Sequence, residues 1–258
     1  MFTDYNNFKE KIFKLTSIDL SCYKERQMKR RIDSLITRNN FQSYDTYYKA
    51  LLQDSNLFNE FINYLTINVS EFYRNPAQWE ILEKEILPQL LKNKKTLKIW
   101  SAACSTGEEP YSLVMLLTKF IKLEDIKIYA TDIDVDAINK AKIGVYAEKS
   151  LSDLPKEFAN KYFHKNLNTY KIKDEIKKCV EFKKHNLLLD KYPVNCDLIV
   201  CRNVLIYFTE EAKSTIYTKF RDALSENGVL FVGSTEQIIM SQRYQMESLK
   251  NFFYKRIK

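Results

Sequence analysis

The stretch Ile99-Trp100-Ser101-Ala102-Ala103-Cys104-Ser105-Thr106-Gly107-Glu108-Glu109-Pro110 decides how the rest of the chain is read. Leu97–Ala102 is short and apolar and runs into small residues, as a buried strand does. Gly107 lets the backbone turn, and Pro110 suits the first turn of a helix over Pro110–Ile121. A strand feeding a helix in this way is the first half of a βαβ unit. Working outward, strands are expected at Lys127–Thr131, Val180–Lys183, Asp197–Cys201 and Val229–Val232, with helices at Pro76–Leu91, Val135–Lys142 and Glu210–Leu224. This alternation predicts an α/β domain whose mostly parallel sheet is covered on both faces. Tyr244–Ile257 reads as one or two antiparallel closing strands, and Tyr162–Phe182 breaks the rhythm as a small insertion.

Ahead of this domain, Met1–Phe72 contains neither Gly nor Pro. Apolar residues recur there at helical spacing: Phe8, Ile12 and Leu15; Met28, Ile32, Leu35 and Ile36; Phe58, Ile62 and Leu65. Three or four helices packed as a small bundle are expected, ending near Asn75-Pro76, where proline disfavours helix in the residue before it.

Composition narrows the functional classes. The 258 residues are 45% hydrophobic and 14% aromatic, enough to build a core. Five scattered cysteines without C-x-x-C spacing, and only His164 and His185, argue against a disulfide framework or a metal site. A reducing, cytoplasmic setting is expected. The charged N-terminus lacks the apolar run of a signal peptide, and no run of about 18 apolar residues predicts a membrane span. A net charge of +8 leaves nucleic acid and acidic protein both open as partners.

In an open parallel sheet, ligands bind beyond the carboxyl ends of the strands. Small residues after Ala102 admit a ligand close to the backbone, and Asp132 at the tip of the second strand is placed to accept ribose hydroxyls. Glu108 and Glu109 at the start of the helix would repel a pyrophosphate, so a ribose-bearing cation such as S-adenosylmethionine fits better than a dinucleotide. On these features alone Gly107 serving only a tight turn is an equal reading. Arg202 and Asn203, where a hydrophobic strand leaves the sheet, lie on the expected ligand side. Tyr207 reads equally as a half-buried aromatic.

Four blocks make the chain similar to a known family. They are Thr66-Ile67-Asn68-Val69-Ser70-Glu71-Phe72-Tyr73-Arg74, the Ile99–Ser112 stretch, Ala130-Thr131-Asp132-Ile133-Asp134 and Cys201-Arg202-Asn203-Val204-Leu205-Ile206-Tyr207-Phe208. In this order and spacing they resemble the chemotaxis receptor methyltransferases, the CheR-type protein-glutamate O-methyltransferases, over essentially the whole chain. The resemblance implies a small all-α domain (1–72, receptor docking) and a Rossmann-like S-adenosylmethionine-dependent methyltransferase domain (73–258) with a β-subdomain inserted at about 162–182. It implies methyl transfer from S-adenosylmethionine to glutamates of the chemoreceptors' cytoplasmic helical bundle, leaving S-adenosylhomocysteine.

By the same resemblance, Asn68, Ser70 and Arg74 reach the cofactor from the linker. Glu108, with Glu109 as the alternative, takes its ammonium end and Asp132 its ribose. Asn186 and Leu187 flank the adenine, and Arg202 and Asn203 line the pocket near the reacting end. Ser70 stands where the family commonly has Thr, which keeps the hydroxyl. A glutamate carboxylate, of reference pKa about 4.3, is already ionised at neutral pH and needs no general base. Arg74 and Tyr207 are then expected to orient it.

The helix around Lys24–Arg38 carries Lys24, Arg26, Lys29, Arg30, Arg31 and Arg38 against Glu25 and Asp33. Such a run reads either as a solvated face or as a docking surface for acidic receptor helices. RNA methylation is the main alternative, with a non-catalytic S-adenosylmethionine-binding module behind it. Against nucleic acid, residues 1–75 carry 11 basic and 9 acidic side chains and there is no basic tract interleaved with aromatics. Certain family members tether to a receptor's C-terminal pentapeptide through a glycine-containing loop, whereas Tyr162–Phe182 has no glycine. Pentapeptide-independent recognition by a monomer, without membrane insertion, is expected.

Overall fold

The computed structural model describes residues 4–92 and 94–257. The chain divides into two compact units, Met1–Asn68 with Ile206–Thr215, and Val69–Leu205 with Ile216–Lys258. The division falls at Asn68/Val69, ahead of the 72/73 boundary read from the sequence.

In the first unit the apolar stripes become four helices, α1 (Tyr5–Thr16), α2 (Glu25–Arg38), α3 (Tyr44–Leu51) and α4 (Ser55–Thr66). Asp4, Ser43 and Asp54 start α1, α3 and α4 by accepting first-turn N–H groups that have no partner within the helix. The helices bury Phe8 and Ile12, the Met28–Ile36 stripe, Tyr47 and Leu51, and Phe61 and Leu65. On α4 the buried face centres on Phe61, leaving the expected Phe58 and Ile62 half-buried. Phe8 stacks on Tyr44 at 4.8 Å, and Tyr47 meets Phe61 edge-on at 5.9 Å. Ile206–Thr215 returns to this unit: Lys24 N–H donates to Tyr207 O at 2.9 Å, Thr209 N–H donates to Cys22 O at 2.9 Å, and the Tyr23 and Phe208 rings lie 4.7 Å apart.

The second unit opens with α5 (Pro76–Ile81), whose Pro76 follows a left-handed Asn75. The expected helix over Pro76–Leu91 contains one wide turn, Leu82–Ile86, before α6 (Leu87–Leu91). Pro88 has no N–H to donate, and ahead of it Leu87 N–H reaches back to Leu82 O. Then come β1 (Ile99–Ala102), α7 (Glu108–Leu117), β2 (Ile128–Asp132), α8 (Val135–Ile143), β3 (Val145–Ala147), α9 (Lys156–Tyr162), β4 (Phe163–Asn166) and β5 (Thr169–Ile172). The chain finishes through α10 (Asp174–Lys177), β6 (Val180–Lys184), β7 (Cys196–Cys201), α11 (Glu210–Ala223), β8 (Leu224–Val232), β9 (Met246–Lys250) and β10 (Phe253–Arg256).

The main sheet has the order β6-β2-β1-β7-β8-β10-β9. β6 to β8 run parallel, with Ile99 opposite both Ile128 and Leu198, and β10 is antiparallel to its two neighbours. β1 and β7 are buried along their whole length, which is why they read as unbroken apolar runs rather than alternating ones. The chain builds outward from β1 to β2 and β6 on one side, then to β7 and β8 on the other. This Rossmann-like reversal opens a crevice over the carboxyl ends of β1 and β7.

A separate antiparallel sheet has the order β3-β5-β4. The sequence reading puts this insertion at 162–182, whereas the structure draws its first strand from Val145–Ala147 and gives Val180–Lys184 to the edge of the main sheet. Val180 and Phe182 pack against the core of the main sheet, and that burial decides the assignment.

Candidate active site

The crevice is shaped by the turn from β1 into α7. Ala103, Ser105 and Gly107 have left-handed backbones, with φ of 65°, 48° and 95°. The turn is pinned to β2: Cys104 N–H donates to Thr131 O at 2.9 Å and Ser105 N–H to Asp132 Oδ2 at 2.7 Å. A Cβ on Gly107 would lie 2.8 Å from Ala141 Cβ and 3.1 Å from both Tyr111 Cε2 and Tyr146 Oη. Glycine is therefore required here for conformation and for space.

Three carboxylates come together along this turn. Glu108, only 4% exposed, accepts from the Thr106 hydroxyl at 2.6 Å and from the Ser70 hydroxyl. Asp132, 7% exposed, accepts from the N–H groups of Ser105 and Asp134. Burial pushes the Glu108 carboxyl above the ordinary range and that of Asp132 up to about 6, with Glu71 and Asp134 adding to the rise, and among the described residues neutral hydroxyl and backbone donors work against it. Burial also pushes Glu109 up to about 7, although Arg202 Nη1 lies 3.8 Å away and the Ser101 hydroxyl donates to it at 2.8 Å. Buried carboxylates held only by neutral donors are costly, and a cationic ligand relieves that cost. The residues therefore fit S-adenosylmethionine.

The other expected residues divide by location. Asn186 and Leu187 follow β6 at the same end of the sheet, since His185 N–H donates to Asp132 O at 2.9 Å. Leu187 is buried, its carbonyl accepting from the Tyr192 hydroxyl at 2.7 Å, while the Asn186 side chain accepts from Leu188 N–H at 2.9 Å. Arg74 donates to Val69 O at 3.0 Å. Arg202 is deeply buried: its Nη2 donates to Arg74 O at 2.6 Å and to Gln78 Oε1 at 2.7 Å, and its guanidinium lies 4.7 Å from the Phe231 ring centre. It thereby holds the Tyr73–Asn75 turn, in which Tyr73 and Asn75 are left-handed. Asn203 leaves β7 with φ of 60°. Asn68 and Tyr207 belong to the helical unit, where Asn68 Nδ2 donates to Thr66 Oγ1 at 3.1 Å.

Sequence reasoning missed Ser101, Gln78, Tyr146 and Glu236. Tyr146 donates its hydroxyl to Thr106 O at 2.8 Å and buttresses the turn. Glu236, 5% exposed, accepts from three backbone N–H groups at the exits of β7 and β8. No local signal marks Gln78 in α5 or Tyr146 in β3, and Glu236 takes its role only from the pairing of β7 with β8.

Residues 68–253 match the model of the CheR methyltransferase SAM binding domain, and residues 3–66 match that of the CheR methyltransferase all-alpha domain. The chain belongs to the CheR methyltransferase family. It is an S-adenosylmethionine-dependent methyltransferase of this type. A chemotaxis protein methyltransferase of Listeria innocua is 42% identical over 252 residues, covering 97% of this chain and 96% of that one. One of Listeria monocytogenes gives the same figures, 42%, 97% and 96%. One of Borreliella burgdorferi is 33% identical over 248 residues, covering 91% and 85%. Among the described residues no helix is long and apolar enough to cross a membrane.

Proposed function

We propose that the protein methylates glutamate side chains on the cytoplasmic helical bundle of chemoreceptors, forming glutamate methyl esters. The observation that carries this reading is the buried carboxylate cluster, built to receive a cation, within a chain related along its whole length to chemotaxis protein methyltransferases. Glu108 takes the cofactor's ammonium. Hydroxyls donate to its side chain, whereas Glu109 already has Arg202 beside it. Asp132 holds the ribose hydroxyls, Asn186 and Leu187 flank the adenine, and Asn68, Ser70, Arg74, Arg202 and Asn203 complete the binding set. When bound, S-adenosylmethionine supplies an electrophilic methyl that a carboxylate oxygen takes, the S–C electron pair remaining on sulfur in S-adenosylhomocysteine.

The chain's own task is positioning rather than proton transfer, because the incoming glutamate is ionised at neutral pH. Arg74 offers it a charge-assisted hydrogen bond and Tyr207 a neutral one. Docking is assigned to α2, and the structure sorts its cations. Lys29 pairs with Asp33 at 2.8 Å, Arg31 donates to Tyr64 O at 2.5 Å, and Arg38 pairs with Glu60 at 2.5 Å. Arg26 and Arg30 stand exposed along a groove that also holds Asp33, Ser34 and Thr37. An acidic receptor helix is the matching partner, recognised without a pentapeptide tether by a monomer acting in the cytoplasm.

The test is methyl-labelled S-adenosylmethionine incubated with receptor-containing membranes and, separately, with RNA. Base-labile label on receptor protein is expected. Label on RNA, or none at all, would point to an RNA methyltransferase or a binding module instead.

A further inference from the structure

The geometry points to Glu236 as a positioning residue, whose carboxylate sets the backbone of Asn203 and Leu205 for methyl transfer. This rests on the function proposed above. After Cys201 the chain leaves β7 and enters a left-handed conformation at Asn203. Backbone N–H groups at such an exit are not taken up by a neighbouring strand. Glu236 takes them: Oε2 accepts from Asn203 N–H at 2.6 Å and from Gly233 N–H at 2.9 Å, and Oε1 accepts from Leu205 N–H at 2.6 Å. Glu236 is itself tied into the exit of β8, its N–H donating to Gly233 O at 3.0 Å.

The fit leaves no slack. A Cβ on Gly233 would lie 2.5 Å from Glu236 Oε2, 2.8 Å from Asn203 N and 3.0 Å from Asn203 Nδ2. Gly233, Glu236 and Asn203 are therefore packed as one piece. An ionised carboxylate accepts on both oxygens, which suits three N–H groups arriving from two loops. A glutamine of the same size would turn an NH₂ towards at least one of those donors. One carboxylate therefore sets the backbone at both Asn203 and Leu205. Burial lowers the pKa of Arg202, which holds Arg74 O, and the negative charges of Glu109 and then Glu236 work against that shift.

The experiment compares the full chain with Glu236→Gln, Glu236→Asp and Gly233→Ala, with Leu90→Ala in α6 as a control for lost stability. Three readouts are taken below the melting temperature of every variant: kcat and receptor KM, S-adenosylhomocysteine affinity, and amide hydrogen exchange. Glu236→Gln should lower kcat by about tenfold or more, the loss of one charge-assisted hydrogen bond, with receptor KM little changed. Exchange should quicken at Asn203, Leu205 and Gly233. Glu236→Asp, which keeps the carboxylate, should recover part of kcat, and Gly233→Ala should reproduce the loss. A wild-type kcat in Glu236→Gln overturns the proposal, as does a kcat loss that Leu90→Ala matches at equal loss of melting temperature. Should the wild-type chain methylate no receptor, the proposed function fails on its own account. The exchange data then still decide the clamp, which unchanged exchange in Glu236→Gln refutes.

Discussion

Replacing Gly107 with alanine perturbs the turn on which the site is built. Two costs can be worked from the structure. Residue 107 has φ of 95°, and holding a residue with a Cβ in a left-handed conformation costs about 1–2 kcal/mol. The new methyl would also meet Ala141 Cβ at 2.8 Å, inside a packed corner closed by Tyr111 and Tyr146. Crowding of this kind costs about 1–3 kcal/mol. Together they give about 2–5 kcal/mol, a large share of the roughly 5–15 kcal/mol typical of a folded domain. The turn can escape part of this only by moving, which loosens the Ser105 N–H bond to Asp132 and shifts Glu108. Urea unfolding should therefore show an earlier midpoint at an unchanged slope, and calorimetry should show weaker S-adenosylhomocysteine binding. A Gly107→Ala protein with wild-type midpoint and affinity would refute both the tight approach to Ala141 and the role of this turn.

Further outcomes are expected from the same geometry. The raised carboxyls of Glu108 and Asp132 must lose protons to hold the ammonium and the ribose hydroxyls, and Glu109 its proton to pair with Arg202, so S-adenosylhomocysteine affinity should weaken as pH falls through about 7 and 6. In the unliganded protein these groups contribute stability below pH about 4 that is lost as pH rises through about 6 to 7. The ligand should consequently raise the melting temperature more at about pH 8 than at about pH 5.5, and an equal shift at both would contradict the cluster's assignment. Reversing Arg26 and Arg30 to glutamate should raise receptor KM at low salt, with kcat and cofactor affinity unchanged and the effect fading as salt increases. An unchanged KM would remove α2 as the docking face. Arg31→Ala should instead lower stability by about 1–3 kcal/mol, measured by urea unfolding, since that side chain is spent on Tyr64 O. An isolated receptor C-terminal pentapeptide should show no binding by calorimetry, and tight binding would refute tether-free recognition.

Much of the catalytic end was legible because its logic is local. A buried parallel strand shows as an apolar run, and the residues just after it lie at the ligand edge of the sheet, so Glu108, Asp132 and Arg202 could be located from order along the chain. Features fixed by distant partners were not legible. Glu236 acquires its meaning only when β8 lies beside β7, and Arg202 turns inward because the α5 region supplies Gln78 and Arg74 O. Val145–Ala147 is too short to announce a strand until β5 pairs with it. The charges on α2 all look alike in sequence, whereas the structure pairs Lys29 with Asp33, Arg31 with Tyr64 O and Arg38 with Glu60.

The central claim, glutamate methyl-ester formation on chemoreceptors, is tested most directly by mapping the product. Receptor-containing membranes are incubated with the protein and S-adenosylmethionine, digested, and read by mass spectrometry before and after mild base. The account predicts methyl groups on glutamates of the cytoplasmic receptor helices, lost on base treatment and absent when Asp132→Asn replaces the wild type. Base-stable methylation, modification of residues other than glutamate, or no receptor modification by a chain that binds S-adenosylmethionine would contradict it.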